Sequence, residues 1–246
     1  MLSLCLAASA ANNSCIECHS NEDFYARFPK LYNYYQDWIT SPHALSGVTC
    51  DDCHGGNAEG TTARSAHEGM FPVSNKNSTL YFSRQPQTCG VCHNEKRVEF
   101  EQSKHFRALQ DAETAAPTCT TCHPAMNKRP SYQVIVLDAC TTCHHPGNRQ
   151  NLPAVLDEAE NLLRHINVAQ GMIGWARLHF SSHDWPGNSR EEMQAIEQRY
   201  SNIVDRVHRF DLQESDGEAL QLLTELRTIF DAERGSSGAR SSPGPQ

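Results

Sequence analysis

Long apolar runs are missing from this chain of 246 residues. Apart from a short stretch at residues 2–8, no segment approaches the roughly 20 residues that a membrane-spanning helix needs, so no transmembrane segment is expected. Apolar residues are scarce in general. Only 38% of the chain is hydrophobic and the mean hydropathy is −0.59, lean for a domain of this length. Basic charge is also short: 21 Lys and Arg stand against 29 Asp and Glu, a formal charge of −8. An acidic surface excludes nucleic acid and anionic membrane surfaces as natural partners and suits redox partner proteins that are themselves basic. Alternating apolar patterns and βαβ units are absent, so little β structure is expected.

What the chain has is cysteine, in one repeated arrangement. Cys15-Ile16-Glu17-Cys18-His19, Cys50-Asp51-Asp52-Cys53-His54, Cys89-Gly90-Val91-Cys92-His93, Cys119-Thr120-Thr121-Cys122-His123 and Cys140-Thr141-Thr142-Cys143-His144 are five copies of Cys-x-x-Cys-His, numbered I to V below. The residue frequencies would give this pattern about 0.03 times by chance. It is the attachment signature of c-type haem: two thiols add across the porphyrin vinyl groups as thioethers, and the next residue reaches the iron as proximal ligand. Ten of the eleven cysteines are used this way. A zinc ribbon does not need a His after each second Cys, and five units do not pair evenly. A disulfide framework does not repeat one local spacing five times. A thioredoxin-like Cys-x-x-Cys needs a preceding strand. The expected cofactors are therefore five haem c with their iron. Cys15, Cys18, Cys50, Cys53, Cys89, Cys92, Cys119, Cys122, Cys140 and Cys143 attach them, and His19, His54, His93, His123 and His144 are proximal ligands.

Thirteen histidines less these five leave eight, more than five sixth positions need. Of these, His43, His67, His105 and His145 lie near the motifs and are candidate distal ligands. His165, Met172 and His179 are seven residues apart on one face of an expected helix, with Ala169 and Ala176 between them and His183 one turn later. Such a stripe suits either a helix lying on porphyrin, with His165, His179 and His183 as ligands, or an ordinary core seam. Met172 is expected to pack, and His208 to be a helix-face histidine. With His in surplus and no Met repeated beside the motifs, low-potential bis-His haems are expected, since a Met ligand raises the potential.

The motifs are irregularly spaced between residues 15 and 144, which excludes a solenoid repeat. Segments between them are rich in Gly, Asn, Ser and Pro, as loops over cofactors would be. Short helices are expected near Glu22, Tyr32, Arg97 and each motif. From Pro153 the pattern becomes helical: one helix from 153 to about 182, a second opened by Ser189-Arg190-Glu191-Glu192 and ending near 209, and a third opened by Ser215-Asp216-Gly217-Glu218 and ending near 234. The expected fold class is mainly α: a loop-rich multihaem cytochrome c domain wrapped around stacked haems, followed by long C-terminal helices. The expected organisation is a signal-peptide remnant at 1–11, a pentahaem-binding domain at 12–150, a helical segment packing on the haems at 151–234 and a disordered tail at 235–246. The run at 2–8 followed by Ala8-Ser9-Ala10 resembles a cleavage site, although no Lys or Arg precedes it, and the spare Cys5 would leave with it. Lipidation of Cys5 is disfavoured because Leu2-Ser3-Leu4 lacks the small residue such signals place before the Cys.

Two stretches resemble a known family. Tyr35-Gln36-Asp37-Trp38-Ile39-Thr40-Ser41-Pro42-His43, running on to Cys50 and His54, is similar to the multihaem cytochromes related to hydroxylamine oxidoreductase and its tetrahaem electron acceptor. Cys89–His93 followed by Phe100-Glu101-Gln102-Ser103-Lys104-His105 is similar to the same family. The resemblance implies that His43 is a distal ligand, and that long helices follow the last haem. Cys143-His144-His145 is similar to small tetrahaem cytochromes in which the second His ligates a neighbouring haem. All five motifs end in His, whereas pentahaem nitrite reductases carry Lys at the catalytic haem. Where octahaem members often place a His after the fourth motif, this chain has Ser131-Tyr132-Gln133-Val134. The resemblance implies electron transfer between redox partners more readily than catalysis, and attachment of c-type haem outside the cytoplasmic membrane, with the signal-like start, gives the periplasm or the cell exterior as the expected location. The alternatives are a reductase or oxidase of small nitrogen or sulfur compounds at one five-coordinate haem, and a homo-oligomeric cytochrome filament.

Overall fold

The computed structural model of the chain describes residues 13–111, 116–123, 126, 132–148, 150–181 and 189–240. Expectations about the leader and Cys5, about His183 and about residues 241–246 lie outside the described residues. Among the described residues the secondary structure is helical, with no strand. No described helix is long and apolar enough to cross a membrane. The chain divides into two compact units. Unit 1 takes in the described residues of 1–97 and 104–131; unit 2 takes in 98–103 and those of 132–246.

Unit 1 is a run of short helices: α1 (Ser14–His19), α2 (Glu22–Arg27), α3 (Pro29–Ile39), α4 (Pro42–Leu45), α5 (Cys50–His54), α6 (Ala63–Ala66) and α7 (Gln85–Gly90). After α8 (Asn94–Glu101), of which unit 1 holds the first half, come α9 (Lys104–Gln110) and α10 (Cys119–Cys122). Helices of four to seven residues are too short to hold themselves in water. Their ends are fixed by side chains instead: Asn13 caps α1, Asn21 caps α2, Ser41 caps α4 and Thr62 caps α6, each accepting from a first-turn N–H. The first six helices bury none of their residues. Leu109 is the one large aliphatic or aromatic side chain, proline aside, that unit 1 buries among its described residues. Otherwise its buried side chains are mostly polar: Asn13, Ser41, Ser78, Gln85 and Thr118. Large apolar groups such as Tyr25, Phe28, Tyr34, Leu45, Phe71 and Val73 stand exposed.

Unit 2 is built the other way. After α11 (Tyr132–Thr141), the helices α12 (Pro153–His179), α13 (Ser189–Val207) and α14 (Leu212–Arg240) enclose a continuous apolar core. Leu162, Ala169, Ile173 and Ala176 of α12 recur at helical spacing and meet Met193, Ile196 and Ile203 of α13 and Leu222, Leu223, Leu226 and Ile229 of α14. Arg177 pairs with Glu197 at 2.7 Å, and Arg199–Glu225 and Arg206–Glu218 join α13 to α14. Leu226 is fully buried. Leu226→Ala is expected to cost unit 2 about 2–5 kcal/mol through lost transfer and a residual cavity, read by denaturant unfolding of the helical signal.

Two helix bounds differ from the sequence expectation. α14 opens at Leu212, a turn before Ser215-Asp216-Gly217-Glu218, because Phe210 turns the chain at φ 64° and Ser215 N–H already bonds to Asp211 carbonyl. At its other end α14 continues to Arg240, past Gly235, since each added residue of a nucleated helix gains a backbone bond.

Candidate metal centres

Each Cys-x-x-Cys-His is one turn of helix. His93 N–H bonds to Cys89 carbonyl at 3.0 Å, His123 to Cys119 at 2.9 Å and His144 to Cys140 at 2.9 Å, while motifs I and II lie inside α1 and α5. In such a turn the first and fourth residues share a face and the fifth follows beside them, which presents two sulfurs and one imidazole together. The turns are capped at fixed places. Asp52 accepts from Thr49 N–H at 2.7 Å before motif II, and Thr121 Oγ1 accepts from Thr118 N–H at 3.0 Å before motif IV. None of the ten motif cysteines is joined to another in a disulfide. Motifs I to IV belong to unit 1 and motif V, at the end of α11, to unit 2.

Neighbouring motifs in unit 1 are close enough for their sulfurs to influence one another. Burial pushes the Cys50 thiol up to about 11, with Cys15 of motif I and Asp51 acting in the same direction. Burial also raises Cys53, helped by Cys89 of motif III. The Cys89 thiol is driven up chiefly by the hydrogen bond it donates to Cys119 of motif IV, and accepting that bond holds Cys119 down. Side chains tie the same pairs. Asn13 caps α1 through Cys15 and Ile16 N–H and donates to Asp51 of motif II at 2.9 Å. Burial works against ionisation of Asp51, but bonds from Thr49 and Asn13 outweigh it and hold its carboxyl below the ordinary value. Thr79 Oγ1 donates to Cys53 carbonyl and Thr88 Oγ1 to Thr79 carbonyl, both at 2.6 Å, linking motif II to motif III.

Two histidine pairs have the separation that an iron between them requires. Two imidazoles that held one iron between them, each with a metal–nitrogen bond of about 2 Å and that nitrogen about 1.1 Å from its ring centre, would have ring centres about 6.2 Å apart. His43 and His93 have ring centres 6.2 Å apart, and His19 and His67 are 6.3 Å apart. His67 Nδ1 stands 2.7 Å from Ala63 carbonyl, which can only accept, so the proton is on Nδ1 and Nε2 carries the lone pair a metal needs. α6 is held in place by close backbone approach: Asn57 N–H bonds to Ala66 carbonyl, and a Cβ on Gly60 would lie 2.4 Å from Ala66 N. Burial and the neighbouring histidine depress His19 and His93, which favours the neutral imidazole that binds metal. The residues fit haem: paired thiols on one helical face, imidazoles at the right separation, and a unit whose apolar side chains form no apolar core among its described residues.

Comparison with known proteins agrees. The family described as Cytochrome c7 and related cytochrome c matches residues 36–124, which hold motifs II to IV, and that of Cytochrome c554 and c-prime matches 88–169, which hold motifs III to V. The chain is a multihaem c-type cytochrome. It is also similar to the C-type polyheme cytochrome OmcB of two Geobacter sulfurreducens strains, DL-1 / KN400 and ATCC 51573 / DSM 12127 / PCA, at 27% identity over 123 residues. That match covers 47% of this cytochrome and 14% of each relative. No solved structure matches it at significant similarity.

The cytochrome's other candidate ligands are spread over both units. His105 lies on α9 in unit 1. In unit 2, His144 Nδ1 is 2.6 Å from Gln150 carbonyl and His145 Nδ1 is 2.9 Å from Pro146 carbonyl. His165 Nδ1 pairs with Asp216 on α14 at 2.6 Å, the carboxylate–imidazole arrangement that often orients a ligand. His179 stacks on Trp175 at 4.4 Å. His208, expected on a helix face, lies in the turn just past α13, where its Nδ1 faces the carbonyls of Val204 and Asp205. Ala169 and Ala176, between His165 and His179, are buried in the three-helix core, and Met172 packs against it. The small-residue stripe is thus helix packing and does not leave room for porphyrin. The ties between motifs were not legible in the sequence, with a partial exception. Thr49-x-x-Asp52 and Thr118-x-x-Thr121 have capping-box spacing directly at the motifs.

Proposed function

We propose that this is a pentahaem cytochrome carrying electrons between redox partner proteins outside the cytoplasm. The observation that carries the proposal is a unit with almost no side-chain core beside four intact attachment turns. Bound haem c supplies one-electron exchange at its iron. The chain's residues do the rest. Ten cysteines anchor, and His19, His54, His93, His123 and His144 ligate from the proximal side. His67 together with His19, and His43 together with His93, would hold an iron between the two imidazoles of each pair. The three further sixth ligands come from His105, His145, His165, His179 and His183. Imidazole on both sides keeps potentials below those of His/Met sites. The sulfur contacts support the order I, II, III, IV along unit 1. Thioether attachment takes place outside the cytoplasmic membrane, which with the run at 2–8 supports a periplasmic or extracellular site. Kinship with hydroxylamine oxidoreductase-type cytochromes is part of the proposal, and the resemblance of Tyr35–Gly55 and of Cys89–His105 supports it.

Electron paramagnetic resonance of the oxidised protein, followed by cyanide addition, tests the proposal. Low-spin ferric signals alone, with no rapid cyanide uptake, are expected of an electron carrier with six-coordinate iron throughout. A high-spin signal from one iron that binds cyanide quickly would contradict it and favour an oxidoreductase acting at that iron.

A further inference from the structure

Gln85 ligates nothing and carries no thiol, yet its buried side chain makes four hydrogen bonds. Its Oε1 accepts from Thr118 Oγ1 at 3.1 Å, from Thr120 N–H at 3.3 Å and from Thr120 Oγ1 at 2.8 Å. Its Nε2 donates to Leu80 carbonyl at 3.3 Å. Gln85 opens α7 one turn before Cys89, while Thr118 and Thr120 flank Cys119. One amide therefore spans the roots of motifs III and IV, where Cys89 and Cys119 come within hydrogen-bond reach.

We infer that Gln85 is a positioning residue that sets the separation of the third and fourth haems, an inference that rests on the pentahaem proposal above. The thiol bond between Cys89 and Cys119 cannot do this in the mature protein. Each S–H is consumed when sulfur bonds to a vinyl carbon and its hydrogen goes to the adjacent carbon. Once both sulfurs are thioethers, the proton that joined them is gone, and the Gln85 bonds remain as a tie between the two helices. The amide suits the place. Three donors converge on one oxygen, and the nitrogen meets a carbonyl that only accepts. A glutamate would keep the three bonds to motif IV and lose the one to Leu80. A methionine of similar length would lose all four.

Circular dichroism in the Soret region of the full holoprotein reads the separation, because the exciton couplet of two haems falls steeply as they part. The reference without this pair is Cys119→Ala with Cys122→Ala. Gln85→Met is expected to keep the parental haem content yet lose couplet amplitude towards that reference, and Gln85→Glu to restore it. Thr120→Val, which removes one bond from the other end, should shift the couplet in the same direction by less, and it decides the question if Gln85→Met loses its fourth haem. A purely structural Gln85 would lower the melting temperature in Gln85→Met and leave the couplet unchanged. That result, or an unchanged couplet in Thr120→Val where it decides, overturns the inference. Fewer than five haems in the parent would instead overturn the pentahaem proposal.

Discussion

Made without haem attachment, the chain is expected to lose the structure of unit 1 and keep that of unit 2. Ordering one residue's backbone costs about 1–2 kcal/mol, and burying a leucine fully returns about 1.5–3 kcal/mol. Leu109 alone cannot hold unit 1, and the polar ties among its motifs each contribute only about 1 kcal/mol net. On the pentahaem proposal, the exposed Tyr25, Phe28, Tyr34, Leu45 and Phe71 would be apolar surface for porphyrin to cover. The helices α12 to α14 have their own core from Leu162 to Ile229. A variant with the eight cysteines of motifs I to IV replaced by alanine should therefore show rapid amide exchange over 13–97, with protection retained over 153–232. The helical signal should fall without vanishing. Equal protection of both units in that variant would contradict the dependence of unit 1 on haem.

The second large effect concerns the distal histidines. His43→Ala and His67→Ala should each leave thioether attachment intact, since the cysteines hold the porphyrin without a sixth ligand. Each should convert one haem to a high-spin form that takes up cyanide or imidazole: the motif III haem for His43 and the motif I haem for His67. The double variant should convert two, because the pairs are separate. Substituting Met for His67 should instead keep a low-spin haem and raise its potential, by on the order of 0.1 V within the roughly 0.8 V that axial ligation spans. Unchanged low-spin spectra in both alanine variants would remove the assignment of the two imidazole pairs.

How much of this could be read from the chain varies with the range of the interaction. The attachment turns are local, so ten cysteines and five histidines are visible as spacing alone. The long helices are nearly as legible, because the pattern from Val155 to Ile173 repeats every three or four residues. Their ends are less so. Ser215-Asp216-Gly217-Glu218 has capping-box spacing, yet the turn at Phe210 starts the helix earlier and leaves Asp216 to pair with His165. Ala169 and Ala176 illustrate a true ambiguity, for a small residue admits a neighbouring helix as readily as a flat ring, and only α13 and α14 decide between them. His43 and His67 were legible as candidates but not as neighbours of His93 and His19, since that proximity is a property of the folded backbone. Gln85 and Asn13 gave no sequence signal, because their partners lie 33 to 38 residues away and are ordinary threonine and aspartate.

The most direct test of the account is the number of haems per chain. Intact-mass spectrometry of protein from a maturation-competent host, with a pyridine haemochrome assay on the same sample, measures it. Five covalently bound haems per chain are predicted, one for each Cys-x-x-Cys-His, with motif V of unit 2 loaded like the four of unit 1. A fully matured population carrying four or fewer would contradict it.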